Sequence, residues 1–164
     1  MKQANITIDA RPVVAAAIEK ANGTGEPAAA MELPDGTIIT GRTTKLLGAS
    51  AALLLNALKA LGGIDDAVHL ISPEIIEPIQ RLKIDNLGNH NPRLHTDEVL
   101  IALSVCALTS PHAKRAMEQL SKLKDCNLHS SVILSQVDSN VFKKLGIHVT
   151  CEPLYQTKKL YHAN

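Results

Sequence analysis

The chain has 164 residues, 45% of them apolar and 20% charged, enough for one core that buries roughly 70% of the unfolded surface. Its 17 Lys and Arg nearly cancel its 16 Asp and Glu, and Phe142, Tyr155 and Tyr161 are the only rings besides imidazole. It therefore lacks both the charge and the stacking platforms of a nucleic-acid binder.

No window reaches the ~18 apolar residues of a membrane span, and MKQANITIDARPVV has no continuous apolar run, so no membrane partner is expected. Cys106, Cys126 and Cys151 are odd in number, far apart and without a CxxC pair. That usage fits a reducing cytoplasm and suggests neither a disulfide framework nor a zinc ribbon.

In chain order, Asp9 is placed to cap a first helix with Pro12 in its opening turn, stopped at Asn22-Gly23. AAAMEL and TIITG flank Pro34-Asp35-Gly36 and predict a β-hairpin. Over 51–61, leucines at 54, 58 and 61 have the spacing of a buried helical face, and Gly62-Gly63 ends it. AVHLIS reads as a short apolar strand. Ser72-Pro73 then starts a helix running to about residue 84, with Pro78 one turn in. From 99 to 108 only Ser104 is polar, which predicts a helix apolar all round and therefore central. Ser110-Pro111 starts a solvated neighbour, and HSSVILS, VDSNVFKKLG and IHVTC read as strand, helix and strand in a parallel crossover.

The expected fold is thus a single α/β domain over 1–164. It has a mostly parallel central sheet, an N-terminal β-hairpin, helices on both faces, and one apolar helix at about 97–108 in its centre. Hairpin, helix, strand, helix, then strand, helix, strand also resembles the zinc nucleoside deaminases. Their chemistry requires H-x-E and P-C-x-x-C, whereas the corresponding helix starts here read Gly48-Ala49-Ser50 and Ser72-Pro73-Glu74. Such a topology would come without its zinc ligands, and the sequence requires no cofactor.

If the strands near 38–41, 67–71, 129–134 and 147–151 run in parallel, their carboxyl ends form the edge where open α/β sheets bind ligands. That edge would display Arg42, Thr43 and Thr44, then Ser72, then Ser135 and Gln136, then Cys151. GRTTKLLGAS is the most suggestive piece, because Lys45 and hydroxyls lead to Gly48 and Ser50 at a helix start, whose free N–H groups suit an anion. It is not a Walker A loop, and self-capping by Ser50 is the plain alternative.

In GNHNPRLHTDEVL, Thr96, Asp97 and Glu98 are explained as helix-start residues, leaving His90, Arg93 and His95. A metal set of His90, His95 and Asp97 is conceivable by residue type, but Arg93 would place a fixed positive charge beside the cation, so no metal is expected. His95 and Asp97 are the candidate acid–base groups. Cys151 is either a nucleophile or a small buried hydrophobe.

ELPDGTIITG, LLGASAALLLNALKAL, LISPEIIEPIQ, NPRLHTDEVLIALS, HSSVILSQVD and CEPLYQTKKLYH occur in this order over about residues 9–162. Together they resemble the C-terminal domain of the bacterial family known as domain of unknown function 1846. The resemblance implies a longer protein whose preceding region carries a glycine-rich, nucleotide-loop-like segment. It also marks NPRLHTDE and CEPLYQTKKLYH as motifs that line a cleft or contact that preceding domain. It carries over no activity, substrate or catalytic residue.

Two functions remain open. In one, the carboxyl edge and the 88–98 loop bind a phosphorylated or nucleotide-like anion as part of an enzyme cleft, with Arg42, Lys45 and Arg93 meeting its charge and His95 moving a proton. In the other, the domain is an interaction module that docks on the preceding domain or forms a homo-oligomer.

Overall fold

The structure, a computed structural model, describes residues 12–153; the Asp9 cap and most of the CEPLYQTKKLYH motif lie outside them. Helix α1 (Pro12–Thr24) leads into the hairpin β1 (Ala28–Glu32) and β2 (Ile38–Arg42). Then follow α2 (Ala49–Gly62), α3 (Pro73–Arg81) with a π-helical turn at Leu82–Asn86, α4 (Thr96–Cys106) and α5 (Pro111–Met117). A 3-10 turn (Leu120–Leu123) precedes β3 (Asn127–Ser130), α6 (Gln136–Lys144) and β4 (His148–Cys151). None of the described helices is long and apolar enough to cross a membrane.

The hairpin forms where the turn chemistry asks for it. Leu33 N–H donates to Thr37 O and Asp35 Oδ1 accepts from Thr37 N–H, closing the connection around Gly36. The crossover β3–α6–β4 is parallel, as the length of its connection requires. Helix α2 ends as its glycines predict, with Gly63 in the left-handed region at φ 65°.

The sheet itself corrects the expectation of mostly parallel strands. Its order is β2-β1-β3-β4, and β1 is antiparallel to both neighbours, so the sheet is mixed. The reason is that the hairpin inserts its first strand, not its second, beside β3, pairing Ala29 with Ser130. Because β1 alone is reversed, β2, β3 and β4 still point one way, and their carboxyl ends share an edge.

AVHLIS is not a strand. Residues 67–71 run as irregular chain after a turn at Asp66 and Ala67, and Leu70 and Ile71 are buried against the main core.

Strand alternation sorts the core into two layers. Ala30 faces Val13, Val14 and Ala17 of α1, while Ala29 and Met31 face the larger cluster built on Leu53, Leu54 and Leu58 of α2 with Leu103, Leu128 and Phe142. Helices therefore cover both faces.

Helix α4 is not central. Val99, Ala102, Leu103 and Cys106 are buried, but Ile101 and Val105 are 65% and 59% exposed, and Leu108 just beyond the helix is 83% exposed. Only one side of this apolar segment meets the core, because the other faces no element among the described residues.

Gly41 fixes how closely α2 lies on the sheet. A Cβ there would sit 2.4 Å from Leu53 N and 2.6 Å from Leu53 Cα, atoms of the helix backbone that no rotamer change can move. Gly41→Ala is expected to cost about 3 kcal/mol, near the upper end of overpacking penalties. Urea denaturation measures this, and an unchanged midpoint would contradict the close approach.

Candidate functional site

The GRTTKLLG and NPRLH loops, the two segments singled out by sequence, are hydrogen-bonded to each other. Leu94 N–H donates to Leu46 O (3.0 Å) and Gly48 N–H to Leu94 O (3.2 Å), a parallel bridge between Leu47 and Leu94 outside the sheet. Arg93 Nε adds a bond to Thr44 O at 2.5 Å, while the Thr44 hydroxyl accepts from Leu46 and Leu47 N–H within its own turn. The start of α2 is thereby joined to the start of α4.

Lys83 holds the second loop from behind. It is 3% exposed, lies in the π-helical turn, and donates to Arg93 O (2.6 Å) and Glu98 Oε1 (2.8 Å). The same carboxylate oxygen of Glu98 accepts from His95 N–H at 2.8 Å. A buried ammonium requires such a partner, since removing one member of the pair strands the other's charge. Glu98 therefore serves both as the helix-start residue read from sequence and as a counter-ion.

His95 occupies the N-cap of α4, and its Nδ1 lies 3.7 Å from Asp138 Oδ2 on α6. The other carboxylate oxygen, Oδ1, accepts from Thr96 N–H (3.0 Å) and the Thr96 hydroxyl (2.7 Å). The Asp138 carboxylate raises the pKa of His95 above its ordinary value of 6.5 against the opposing effect of burial. For Asp138, burial pushes upward, but the donors from His95 and Thr96 prevail and hold it below the ordinary 3.8. The pair is arranged to keep an imidazolium beside a carboxylate.

These elements enclose a cavity of about 50 Å³ at the shared carboxyl edge. Thr43, Ser50, Arg93, His95, Ser130 and Asp138 are among its lining residues. Three helix starts meet there, those of α2 at Gly48, α4 at His95 and α6 at Ser135. Ser135 caps α6 by accepting from Asp138 N–H at 3.1 Å, whereas Gly48 gives α2 no side-chain cap. The first-turn N–H groups of α2 have no intrahelical acceptors, and their positive dipole end opens on the cavity. Thr43 is 3% exposed, and its hydroxyl has no hydrogen-bond partner among the described residues. An unpaired buried hydroxyl is costly and calls for an explanation.

Of the residues expected at the carboxyl edge, Thr43, Gly48, Ser50, Arg93, His95 and Ser135 line this cavity. The others lie off it. Arg42 and Lys45 are exposed, and Thr44 is occupied in its turn. Ser72 starts α3, and Gln136 bonds Asn140 on the surface of α6. Asp97 accepts from Glu98 N–H, leaving Asp138 as the carboxylate that faces His95. Cys151 is exposed on the outer strand β4, three strand positions from Arg42, roughly 14 Å across the sheet.

Sequence reading missed Asp138, Asn91 and Ser130. The signal for Asp138 was present in Ser135-x-x-Asp138, but that pattern reads as a local cap and not as a tertiary partner. Among the described residues no three His, Cys, Asp or Glu side chains gather as a metal site would need. His129 belongs to the opposite face, with Nδ1 2.7 Å from Thr150 Oγ1 and Nε2 2.8 Å from Glu152 Oε2.

Residues 9–161 match the family model described as domain of unknown function DUF1846, C-terminal. A UPF0371 protein of Corynebacterium urealyticum is 60% identical over 151 residues, covering 92% of this chain and 30% of its own length. UPF0371 proteins of Corynebacterium efficiens and Streptococcus pyogenes are 56% and 50% identical over 161 residues, 98% of this chain and 32% and 33% of theirs. The chain spans about a third of the length of the curated relatives it matches. By the match over nearly its whole length, the chain belongs to the family of DUF1846 C-terminal domains.

Proposed function

We propose that this domain binds the phosphoryl group of a small, nucleotide-like molecule at the carboxyl edge and supplies part of an enzyme's active-site cleft. The observation that carries the reading is the buried Thr43 hydroxyl, unpaired among the described residues, in a cavity that also receives the uncapped start of α2. A phosphoryl oxygen would accept from that hydroxyl and from first-turn N–H groups, with Arg93 and protonated His95 outweighing the single negative charge of Asp138. A volume of about 50 Å³ suits one such group and little more, so the remainder of the ligand would extend outward, toward whatever adjoins the domain in the longer relatives. His95, oriented by Asp138, is the group to give or take a proton there.

The single reversed strand and the parallel β3–α6–β4 crossover fit part of the deaminase-like order expected from sequence, whereas the strand which that order places between α2 and α3 is irregular chain at 67–71. We keep that as a reading of the fold alone, since the chemistry of those enzymes depends on zinc ligands that these helix starts lack. Three free cysteines favour the cytoplasm as the working compartment.

Thr43→Val tests the reading, because it predicts effects of opposite sign. Without ligand, removing an unsatisfied buried hydroxyl should stabilise the protein by about 1 kcal/mol, whereas affinity for inorganic phosphate or a nucleoside monophosphate should fall roughly tenfold. Amide shifts of Ala49 and Ser50 during an NMR titration report the binding; no localised shift at millimolar phosphate would sink the proposal.

His95 provides a second test. A raised pKa in the folded state means its pairing stabilises fully below 6.5 and fades as pH rises through the folded value. The Asp138 contribution is present above 3.8 and is lost as pH falls through its own lowered value. The pair should therefore stabilise most between those limits. In Asp138→Asn, with only burial left to act strongly on the imidazole, the His95 titration should move to lower pH, and an unmoved titration would contradict the pairing.

A further inference from the structure

We infer that the outer stripe of α4 is the seat of an apolar surface from the additional region that the longer relatives carry in the same polypeptide. Ile101, Val105 and Leu108 follow one another at i, i+4 and i+7 and are 65%, 59% and 83% exposed. Ser104, the one polar residue of residues 99–108, turns its hydroxyl back to Ile101 O at 2.7 Å, so it asks nothing of a partner. Glu98 stands at the head of the same stripe and is fixed by buried Lys83. The π-helical turn that carries Lys83 also presents Leu82, 49% exposed, and is followed at once by Leu87, 64% exposed. Ile101, Val105 and Leu108 in one row form the kind of apolar surface that marks an interface, and Leu82 and Leu87 are further exposed aliphatics on the segment that Lys83 anchors.

The size of the patch chooses between occupants. A stable contact between free proteins uses roughly 20–30 residues a side, far more than this stripe and turn provide, so a freely diffusing second copy would be held poorly. A tethered partner works at an effective concentration near millimolar, where a small apolar contact suffices. The relatives extend well beyond the matched domain, which covers only 30% to 33% of them. A helix with its own i, i+4 apolar ridge would pack directly on the row formed by Ile101, Val105 and Leu108.

The test is the double substitution Ile101→Glu, Val105→Glu, made in the 164-residue chain and in the polypeptide that joins this chain to the relatives' additional region. In the short chain the thermal midpoint should be unchanged, while in the long one limited proteolysis at the junction should accelerate roughly tenfold. Equal tolerance in both polypeptides would overturn the inference. So would a destabilised short chain, which would mean that its own residues cover the stripe. A short chain that sediments as a dimer, and as a monomer after substitution, would assign the surface to a second copy and overturn the tethered partner.

Discussion

Two hydrogen bonds, from Leu94 N–H to Leu46 O and from Gly48 N–H to Leu94 O, decide where the chemistry-bearing loops of this domain lie. Each loop alone is a polar connection with several accessible conformations, and ordering it costs on the order of 1–2 kcal/mol per residue. Joined, they share that cost, and Arg93 and Lys83 add bonds to the backbone carbonyls of Thr44 and Arg93. The starts of α2 and α4 are then set by one another.

The cavity follows from that juxtaposition and from the direction of the strands. Since β2 and β3 point the same way across β1, the loops that leave them emerge on one edge. The bridge draws α4 against the same edge, and Asp138 of α6 reaches Thr96 and His95 to close the third side. Several polar groups around it are paired, with the Ser130 hydroxyl on Val132 O, Ser135 on Asp138 N–H and the Asp138 carboxylate on Thr96. Against that background the unpaired Thr43 hydroxyl stands out. Such a locally unfavourable group is the signature expected where stability has been given up for binding.

Much of the fold was legible because its signals are local. Pro34-Asp35-Gly36 specifies a turn, the leucines of α2 specify a face, and Gly63 specifies a left-handed end. What could not be read was non-local. Nothing near Ala29 says that its neighbour across the sheet is Ser130, about a hundred residues away, yet that pairing makes the sheet mixed. AVHLIS has the composition of a strand but is irregular chain that buries only Leu70 and Ile71, because a short apolar run carries no periodicity to tell these states apart. Helix α4 misled differently. Its composition called for burial on every side, whereas the described residues cover one side only. In the candidate site, His95, Arg93 and Thr43 were visible by residue type, while Asp138 was hidden inside a helix-capping pattern whose second role depends on packing.

The measurement that bears most directly on this account is native-state hydrogen exchange at the amides of Gly48 and Leu94. If the bridge organises both loops, the two amides should exchange together, with protection approaching that of the interior of α2. Exchange at the rate of an open surface loop, with α2 still protected, would mean that the loops are not held to each other and that the cavity between them is not preformed.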